Sequence, residues 1–181
     1  GTNDFIEYYS AYKLYINNQD LYDPQQLLPI QQALGRTQTQ PLMMWNPPWT
    51  LALLSPILNL DFTLAAQLFL GLNLLLVFLS SLLARDIFTK RCSLQSPLAS
   101  WAAVAYGFFS VPIFLVLKLG QISILLTFFV TLLFWALDNR NEESRKDWLA
   151  GATIALLSLK PHLVFLLLIA LGVFIYKKRR W

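Results

Sequence analysis

Hydrophobic and polar positions divide the chain into an amphipathic first part and a more apolar second part. In residues 1–48, a stripe of apolar side chains recurs at helical spacing and predicts an amphipathic helix. The stripe consists of Phe5, Tyr8, Tyr9, Tyr12, Tyr15 and Ile16. The polar run at residues 17–20 ends this helix. A second amphipathic helix is predicted over residues 24–34, before Gly35.

The second part, residues 49–181, contains apolar runs of the length that membrane helices need. The runs cover residues 50–60, 63–84, 98–117 and 121–137. As a helix, the second run would be about 33 Å long, enough to cross a bilayer once. Pro112 is expected to kink the third run. The fourth run would reach only about 25 Å, so its start is expected below the outer membrane surface.

The last apolar run, residues 148–176, allows two interpretations. As one helix it would be about 43 Å long, too long for one crossing and too short for two. Pro161 near its middle predicts a hairpin of two short helices that turns inside the membrane, with Lys160 and His162 at depth. The alternative is one tilted, proline-kinked crossing, which violates the charge rule at one end.

The composition is that of an integral membrane protein. The chain is 56% hydrophobic and 13% charged, with a mean hydropathy of +0.52, whereas soluble domains are roughly 45–50% apolar and about 25% charged. The predicted fold class is therefore all-α: a polytopic protein with transmembrane helices in residues 49–181 and an amphipathic extracytoplasmic loop in residues 1–48. Because tyrosine favours the lipid headgroup level, the first helix is expected on the membrane surface.

The basic residues indicate the orientation of the chain in the membrane. Ten of the fourteen lie in three clusters, each at the end of an apolar run, which is the positive-inside pattern rather than a phosphate-binding face. We therefore expect no nucleic-acid partner despite the net charge of +4. Residues 1–48 and 118–121 are predicted to face outside, and residues 85–97 and 138–147 the cytoplasm.

Cysteine and histidine are too scarce for several kinds of site. Cys92 and His162 are the single residues of their types. One cysteine excludes an internal disulfide, and the two residues together are too few for a conventional zinc site. We expect neither a metal nor another cofactor.

Asp4 is the acidic residue nearest the start of the first predicted helix. Its spacing to Glu7 matches a capping box, so a structural role as helix cap is one interpretation. The other interpretation is a catalytic base, which needs an ionised group within hydrogen-bond reach of a hydroxyl.

The polar residues within the apolar part also have structural alternatives. Lys118 could extend to the headgroups, and Gln121 could bond a neighbouring helix. Lys160 has about ten mostly apolar residues on either side, and a lysine at that depth is a functional candidate by default. His162 could be a hydrogen-bonded structural residue or a catalytic one.

Six short motifs follow one another along the chain. They are Asp4–Phe5 with Tyr8–Tyr9 and Ala11, Leu21–Tyr22–Asp23–Pro24, Trp45 to Pro48, Gly120–Gln121–Ile122–Ser123, Ala150–Gly151 and Leu159–Lys160–Pro161. In this order and spacing the motifs resemble the bacterial membrane glycosyltransferases of family eighty-seven. That family belongs to the C-type glycosyltransferase superfamily and includes polyprenyl-phosphate-mannose-dependent mannosyltransferases. The basic end, residues 178–181, is similar to a loop of the same family.

The resemblance implies roles for individual residues. Family members use a lipid-linked sugar, need no nucleotide, and carry an essential acid in the first outward-facing loop, the place that Asp4 occupies. Asp4 is therefore the expected catalytic base, with Glu7, Asp20 and Asp23 as substitutes. Lys160 is the expected partner of the donor phosphate, assisted by His162 and Lys118. Tyr8, Tyr9 and Gln121 complete the expected substrate-binding residues.

The resemblance also implies a reaction and a location. A hexose, mannose as first choice, would pass from a polyprenyl-phosphate donor to a glycolipid or glycan acceptor outside the cytoplasm, with the enzyme in a bacterial plasma membrane. The chain would lack the first helix and the C-terminal half of such enzymes. A transporter or flippase-like subunit is the alternative, with Lys160 as its ion or substrate site, and an inactive scaffold of the same fold is a third. The acidic, tyrosine-rich residues 1–48 favour the transferase.

Overall fold

The structure, a computed structural model, describes residues 3–92, 96–138 and 143–178. These residues form nine α-helices and one 3-10 turn and contain no strand, so the predicted all-α class is confirmed. In chain order the elements are α1 (Asn3–Ile16), α2 (Pro24–Ala33), α3 (Trp49–Leu58), α4 (Phe62–Cys92), α5 (Pro97–Phe109), α6 (Val111–Leu119), α7 (Ser123–Asp138), α8 (Glu143–Leu156), the 3-10 turn Leu157–Leu159, and α9 (Pro161–Lys178).

The two helices predicted in the first part of the chain are present. The connection between them contains Asn18 in the left-handed backbone region, with φ of 54°, a conformation that asparagine tolerates better than most residues. Asp23 is the N-cap of α2, and its carboxylate accepts a hydrogen bond from the Gln25 N–H at 2.8 Å.

The first four residues of the aromatic stripe of α1 pack against protein, whereas Tyr15 and Ile16 are exposed. Phe5 and Tyr8 are each 1% exposed, and the Phe5 ring stacks on Phe69 of α4 at 4.9 Å between centroids. Tyr9 meets Phe62 edge to face at 5.2 Å and donates a hydrogen bond to the Leu60 carbonyl at 2.9 Å. These rings therefore pack on α3 and α4, and the position of α1 at a membrane surface stays a prediction.

Two stretches of the described chain are long and apolar enough to span a membrane, Phe62–Arg91 and Pro97–Leu119. The first was predicted to end at residue 84, but α4 continues to Cys92, so the start of the predicted cytoplasmic segment is helical. The second breaks at Ser110, whose ψ of 144° is extended, and Pro112 lies in the first turn of α6. The predicted proline kink is confirmed.

The connection of α7 to α8 reverses the chain. Residues 139–142 of the predicted loop 138–147 lie outside the described residues, and α8 begins at Glu143. Helices α7 and α8 pack together, and the Lys160 ammonium donates to the hydroxyl of Ser123, the first residue of α7, at 3.2 Å. The two helices are therefore antiparallel, and Lys160 lies level with the turn between α6 and α7.

The helix break predicted before Pro161 is also present. The 3-10 turn ends at Lys160, whose φ of −140° and ψ of 72° are not helical, and α9 starts at Pro161. Among the described residues, the backbone of α9 approaches the 3-10 turn and makes no comparable approach along α8. A closely packed hairpin is therefore not formed, since its two arms would lie side by side.

Gln31 of α2 fixes the extended segment that leads to α3. Its side chain is fully buried, and its amide exchanges two hydrogen bonds of 2.8 Å with the backbone N–H and carbonyl of Leu42. The same amide nitrogen lies 3.1 Å from the Ser10 hydroxyl of α1. The Gln31 side chain thus connects α1, α2 and the segment that contains Leu42.

We expect Gln31→Ala to lower the free energy of unfolding by about 1–3 kcal/mol, because it leaves partly buried backbone groups of Leu42 without this partner. Thermal unfolding of the full-length protein in detergent measures this loss. Gln32→Ala, at an exposed position of the same helix, is the control and should leave the melting temperature nearly unchanged. Equal melting temperatures for both variants would contradict the assigned role of Gln31.

Candidate functional site

Polar groups from three separate parts of the chain meet at one end of α7. Helix α1 supplies Asp4 and Glu7, the segment before α3 supplies Asn46, and the break before α9 supplies Lys160. We call these four residues the carboxylate–lysine site. Asp4 and Glu7 are three residues apart in α1, so they lie on the same face of the helix.

Glu7 is the most confined charge of this site. Its side chain is 8% exposed, and burial raises the pKa of Glu7 from 4.5 to about 7, with the nearby charge of Asp4 adding to the rise. The Trp45 N–H, the Lys160 ammonium and the Asn46 amide act in the opposite direction. Near neutral pH, Glu7 therefore changes between its protonated and ionised forms.

Asn46 joins this carboxyl to the neighbouring tyrosine. The Asn46 amide nitrogen lies 3.4 Å from Glu7 Oε1 and 3.3 Å from Tyr8 Oη, and the residue is 5% exposed. The Ile122 N–H donates a hydrogen bond to the same phenol oxygen, and burial raises the pKa of Tyr8 above its ordinary value. Tyr8 is therefore a neutral hydrogen-bonding residue that links α1 to the start of α7.

The turn between α6 and α7 follows from its sequence. Gly120 ends α6 in the left-handed region, with φ of 70° and ψ of 40°, which glycine adopts at little cost. Ser123 then begins α7, and its hydroxyl accepts from Lys160 while lying 3.4 Å from Gln121 Oε1. The motif Gly120–Gln121–Ile122–Ser123 thus places one side chain against Lys160 and one backbone N–H against Tyr8.

The structure brings some predicted site residues together and leaves others apart. Asp4 is half-buried near Glu7 and lies inside the first turn of α1, so it is not the helix cap. Tyr8, Gln121 and Lys160 converge around Asn46 and Ser123. Tyr8 and Tyr9 have buried rings and bonded hydroxyls, an arrangement that favours a structural role. Lys118 and His162 are exposed, in the last turn of α6 and the first turn of α9.

Asp20 and Asp23, the other substitutes for Asp4, have local structural roles. Asp20 accepts a hydrogen bond from the Tyr22 N–H at 2.9 Å, which stabilises the turn before α2. Asp23 caps α2 and also accepts from the Gln26 amide at 2.8 Å. Of the substitutes, only Glu7 lies within the carboxylate–lysine site.

Two members of this arrangement were not assigned a role from the sequence. Asn46 pairs with Glu7 across 39 positions of the chain, and Ser123 pairs with Lys160 across 37. The position of Glu7 next to the aromatic stripe of α1 was a usable signal, because a buried acid needs a hydrogen-bond donor. No local pattern identifies which distant residue supplies that donor.

The described residues also line a cavity of about 290 Å³ between α4, α7 and the α5–α6 break. Its lining is uncharged and includes the hydroxyls of Ser80, Ser81 and Thr127, which donate to carbonyls of their own helices. No group of three histidine, cysteine, aspartate or glutamate side chains suited to a metal occurs in the described part of the chain.

A comparison with protein families identifies the group to which the chain is similar. Residues 45–181 match the model of glycosyltransferase family 87, which is more than half of the chain. No curated protein and no solved structure matches the chain. Asn46, Ser123 and Lys160 lie within the matched residues, and Asp4 and Glu7 precede them. The match favours the transferase interpretation over the transporter.

We expect Glu7→Gln to stabilise the protein at pH 8 by roughly 3 kcal/mol, because the pKa of Glu7 rises from 4.5 to about 7 on folding and each pH unit is worth about 1.4 kcal/mol. A group with a raised folded pKa contributes its stability below the unfolded pKa and loses it as the pH rises through the folded value. The two melting temperatures should therefore be equal near pH 4 and diverge up to about pH 7.5. A constant difference across this range would mean that burial of Glu7 does not set its pKa.

Proposed function

The chain belongs to glycosyltransferase family 87, and on this premise we propose that it transfers a hexose, mannose as first choice, from a polyprenyl-phosphate donor to a glycolipid or glycan acceptor. Family membership assigns sugar transfer and a membrane protein. The finer proposal concerns the donor, the acceptor and the residues that act on them. The reaction would take place on the outer side of a bacterial plasma membrane.

The observation that supports this proposal is the convergence of two carboxyls and a lysine from distant parts of the chain. Asp4 and Glu7 approach Lys160 closely enough for their charges to interact. Among the described residues, Lys160 donates to Ser123 and forms no ion pair with a carboxylate. An ammonium in that position can still bind an anionic ligand, whereas a paired one could not do so without losing its partner.

Transfer from a lipid phosphate needs a proton acceptor and a cation. The acceptor hydroxyl gives its proton to a carboxylate while its oxygen bonds to the anomeric carbon of the sugar. The bond between that carbon and the phosphate oxygen breaks, and the electron pair leaves with the phosphate. The Lys160 ammonium stabilises the charge that develops there. The proposal assigns the first role to Asp4 and the second to Lys160.

Asp4 is a better candidate base than Glu7 because of its access. Asp4 is half-buried, whereas Glu7 is nearly enclosed and holds a proton up to a pH of about 7. A base must be ionised and must reach the hydroxyl that it deprotonates. Because Glu7 is nearly enclosed and holds its proton up to a pH of about 7, its proposed contribution to the site is electrostatic.

The proposed orientation has the site facing the outer side of the membrane. The α6–α7 turn and Lys160 lie at the same end of α7 as α1. If residues 1–48 face outside, as the basic clusters indicate, Lys160 and Ser123 lie at the outer side as well. A lipid phosphate in the outer leaflet would then be level with Lys160.

We expect Asp4→Asn in the full-length enzyme to lower sugar transfer by roughly a hundredfold or more, the scale of general-base catalysis, because asparagine keeps the size of the side chain but cannot take a proton. Transfer from a radiolabelled polyprenyl-phosphate sugar to acceptor lipid measures the rate. Asp20→Asn, in the turn before α2, is the matched control and should retain activity. Wild-type transfer by Asp4→Asn would exclude Asp4 as the base.

We expect Lys160→Ala to raise the Michaelis constant for the lipid donor by roughly tenfold or more, since it removes a charged hydrogen bond to phosphate. Lys160→Arg should retain part of the affinity because it keeps the positive charge. Lys13→Ala changes a lysine of α1 that lies over the Tyr9 ring and serves as control. Unchanged donor kinetics in a folded Lys160→Ala enzyme would return Lys160 to a structural role.

A further inference from the structure

We infer that Asn46 is a positioning residue: together with the backbone N–H of Trp45, it holds the Glu7 carboxylate away from Lys160 and so leaves the lysine available for the donor phosphate. This inference rests on the proposed function, because it assumes that Lys160 binds the donor. It adds a residue whose contribution to the reaction is to prevent an ion pair. Asn46 itself contacts neither the sugar nor the phosphate in this proposal.

The first step is that Glu7 and Lys160 attract each other without pairing. Their charges interact, yet the described hydrogen bond of the ammonium goes to Ser123 Oγ and not to a carboxylate. In a confined site, where the effective dielectric constant is low, a carboxylate and an ammonium attract each other more strongly than in water. The hydrogen bonds that occupy the Glu7 carboxyl therefore bear on whether the two groups pair.

The second step identifies what holds Glu7. Its carboxyl receives donors from two consecutive residues, the Trp45 N–H and the Asn46 side chain, the latter at 3.4 Å. Asn46 is also fixed by Tyr8 Oη at 3.3 Å, and Tyr8 in turn by the Ile122 N–H. Asn46 is thus fixed to α1 through Tyr8. Tyr8 is fixed in turn to the start of α7, the helix that also carries Ser123.

The third step is the proline pair that follows. Pro47 and Pro48 directly succeed Asn46, and their fixed φ angles limit the motion of the segment. The preceding residues are held by the Gln31 contacts with Leu42. Asn46 therefore lies in a short stretch restrained on both sides, which is what a positioning residue requires.

The charged and titratable groups facing Glu7 determine the direction of the effect. They are Asp4 and Tyr8 on α1 and Lys160 at the start of α9. Asp4 repels Glu7 and Tyr8 is neutral, so Lys160 is the one group of the three that attracts it. If Asn46 is removed, Glu7 is expected to move toward Lys160 and to compete with the donor phosphate.

The experiment measures donor binding in full-length enzyme at pH 8, where Glu7 is mostly ionised. We expect Asn46→Ala to raise the Michaelis constant for the polyprenyl-phosphate sugar by about tenfold, the scale of one hydrogen bond to a charged group. In the Glu7→Gln background, the same substitution should change this constant less than about twofold, because a neutral amide cannot form the ion pair. At pH 6 the effect of Asn46→Ala should also shrink.

Gln32→Ala is the matched control, because it removes an exposed amide of α2 and leaves the segment around Asn46 unchanged. It should leave the Michaelis constant for the donor unchanged at both pH 6 and pH 8. Where Asn46→Ala fails to fold, Asn46→Ser keeps a polar group at the site but shortens the donor, and the same comparison applies.

Two results would overturn the inference. One is an unchanged Michaelis constant in Asn46→Ala when Lys160→Ala raises it, which would retain the proposed function and remove only the role of Asn46. The other is an equal effect of Asn46→Ala with Glu7 and with Gln at position 7. Failure of the proposed function itself differs from both, since Lys160→Ala would then leave donor binding unchanged.

Discussion

The burial of the Glu7 carboxyl is the constraint on which the arrangement of the first 60 residues depends. A carboxyl in that place needs hydrogen-bond donors, since an unpartnered buried polar group is strongly unfavourable. Its donors come from Trp45 and Asn46, so the segment before α3 must return to α1. Gln31 directs that return through Leu42, while the stacked rings of Phe5 and Phe69 fix α1 on α4. The aromatic packing and the polar contacts therefore support the same geometry.

Local features of the fold could be predicted from the sequence, whereas the partner of each surface could not. The breaks at Pro112 and Pro161 follow from the missing N–H and the steric demands of proline, which act within a few residues. The stripe of α1 is different, because a helix that faces lipid headgroups and one that packs on protein show the same periodicity. Only the position of α4 decides between them. Hydropathy also did not show that α4 continues beyond residue 84, because charged residues follow at that point.

The same distinction, between local features and distant partners, applies to the residues of the candidate site. Asp4 and Lys160 were identified from the resemblance to a family, and Glu7 was named as a substitute for Asp4. Asn46 and Ser123 were not assigned, because each acts through a contact with a residue more than 30 positions away, and one sequence carries no signal for such pairs. Lys118 and His162, by contrast, were assigned roles from the sequence. Their residue types suit phosphate binding, but both side chains are exposed, on α6 and α9, and their role stays a prediction.

A protein selected for stability alone would have little reason to keep an ionisable group where Glu7 lies. A neutral residue of similar size would avoid the desolvation of a carboxylate near neutral pH, and an ion pair with Lys160 would reduce it. The structure has neither solution: the carboxyl is retained, and it is hydrogen-bonded to amides rather than to the lysine. Departures of this kind from local stability are characteristic of functional sites. The retained carboxyl agrees with the proposed function, in which the Lys160 ammonium must stay available for an anionic leaving group although carboxylates lie close to that ammonium.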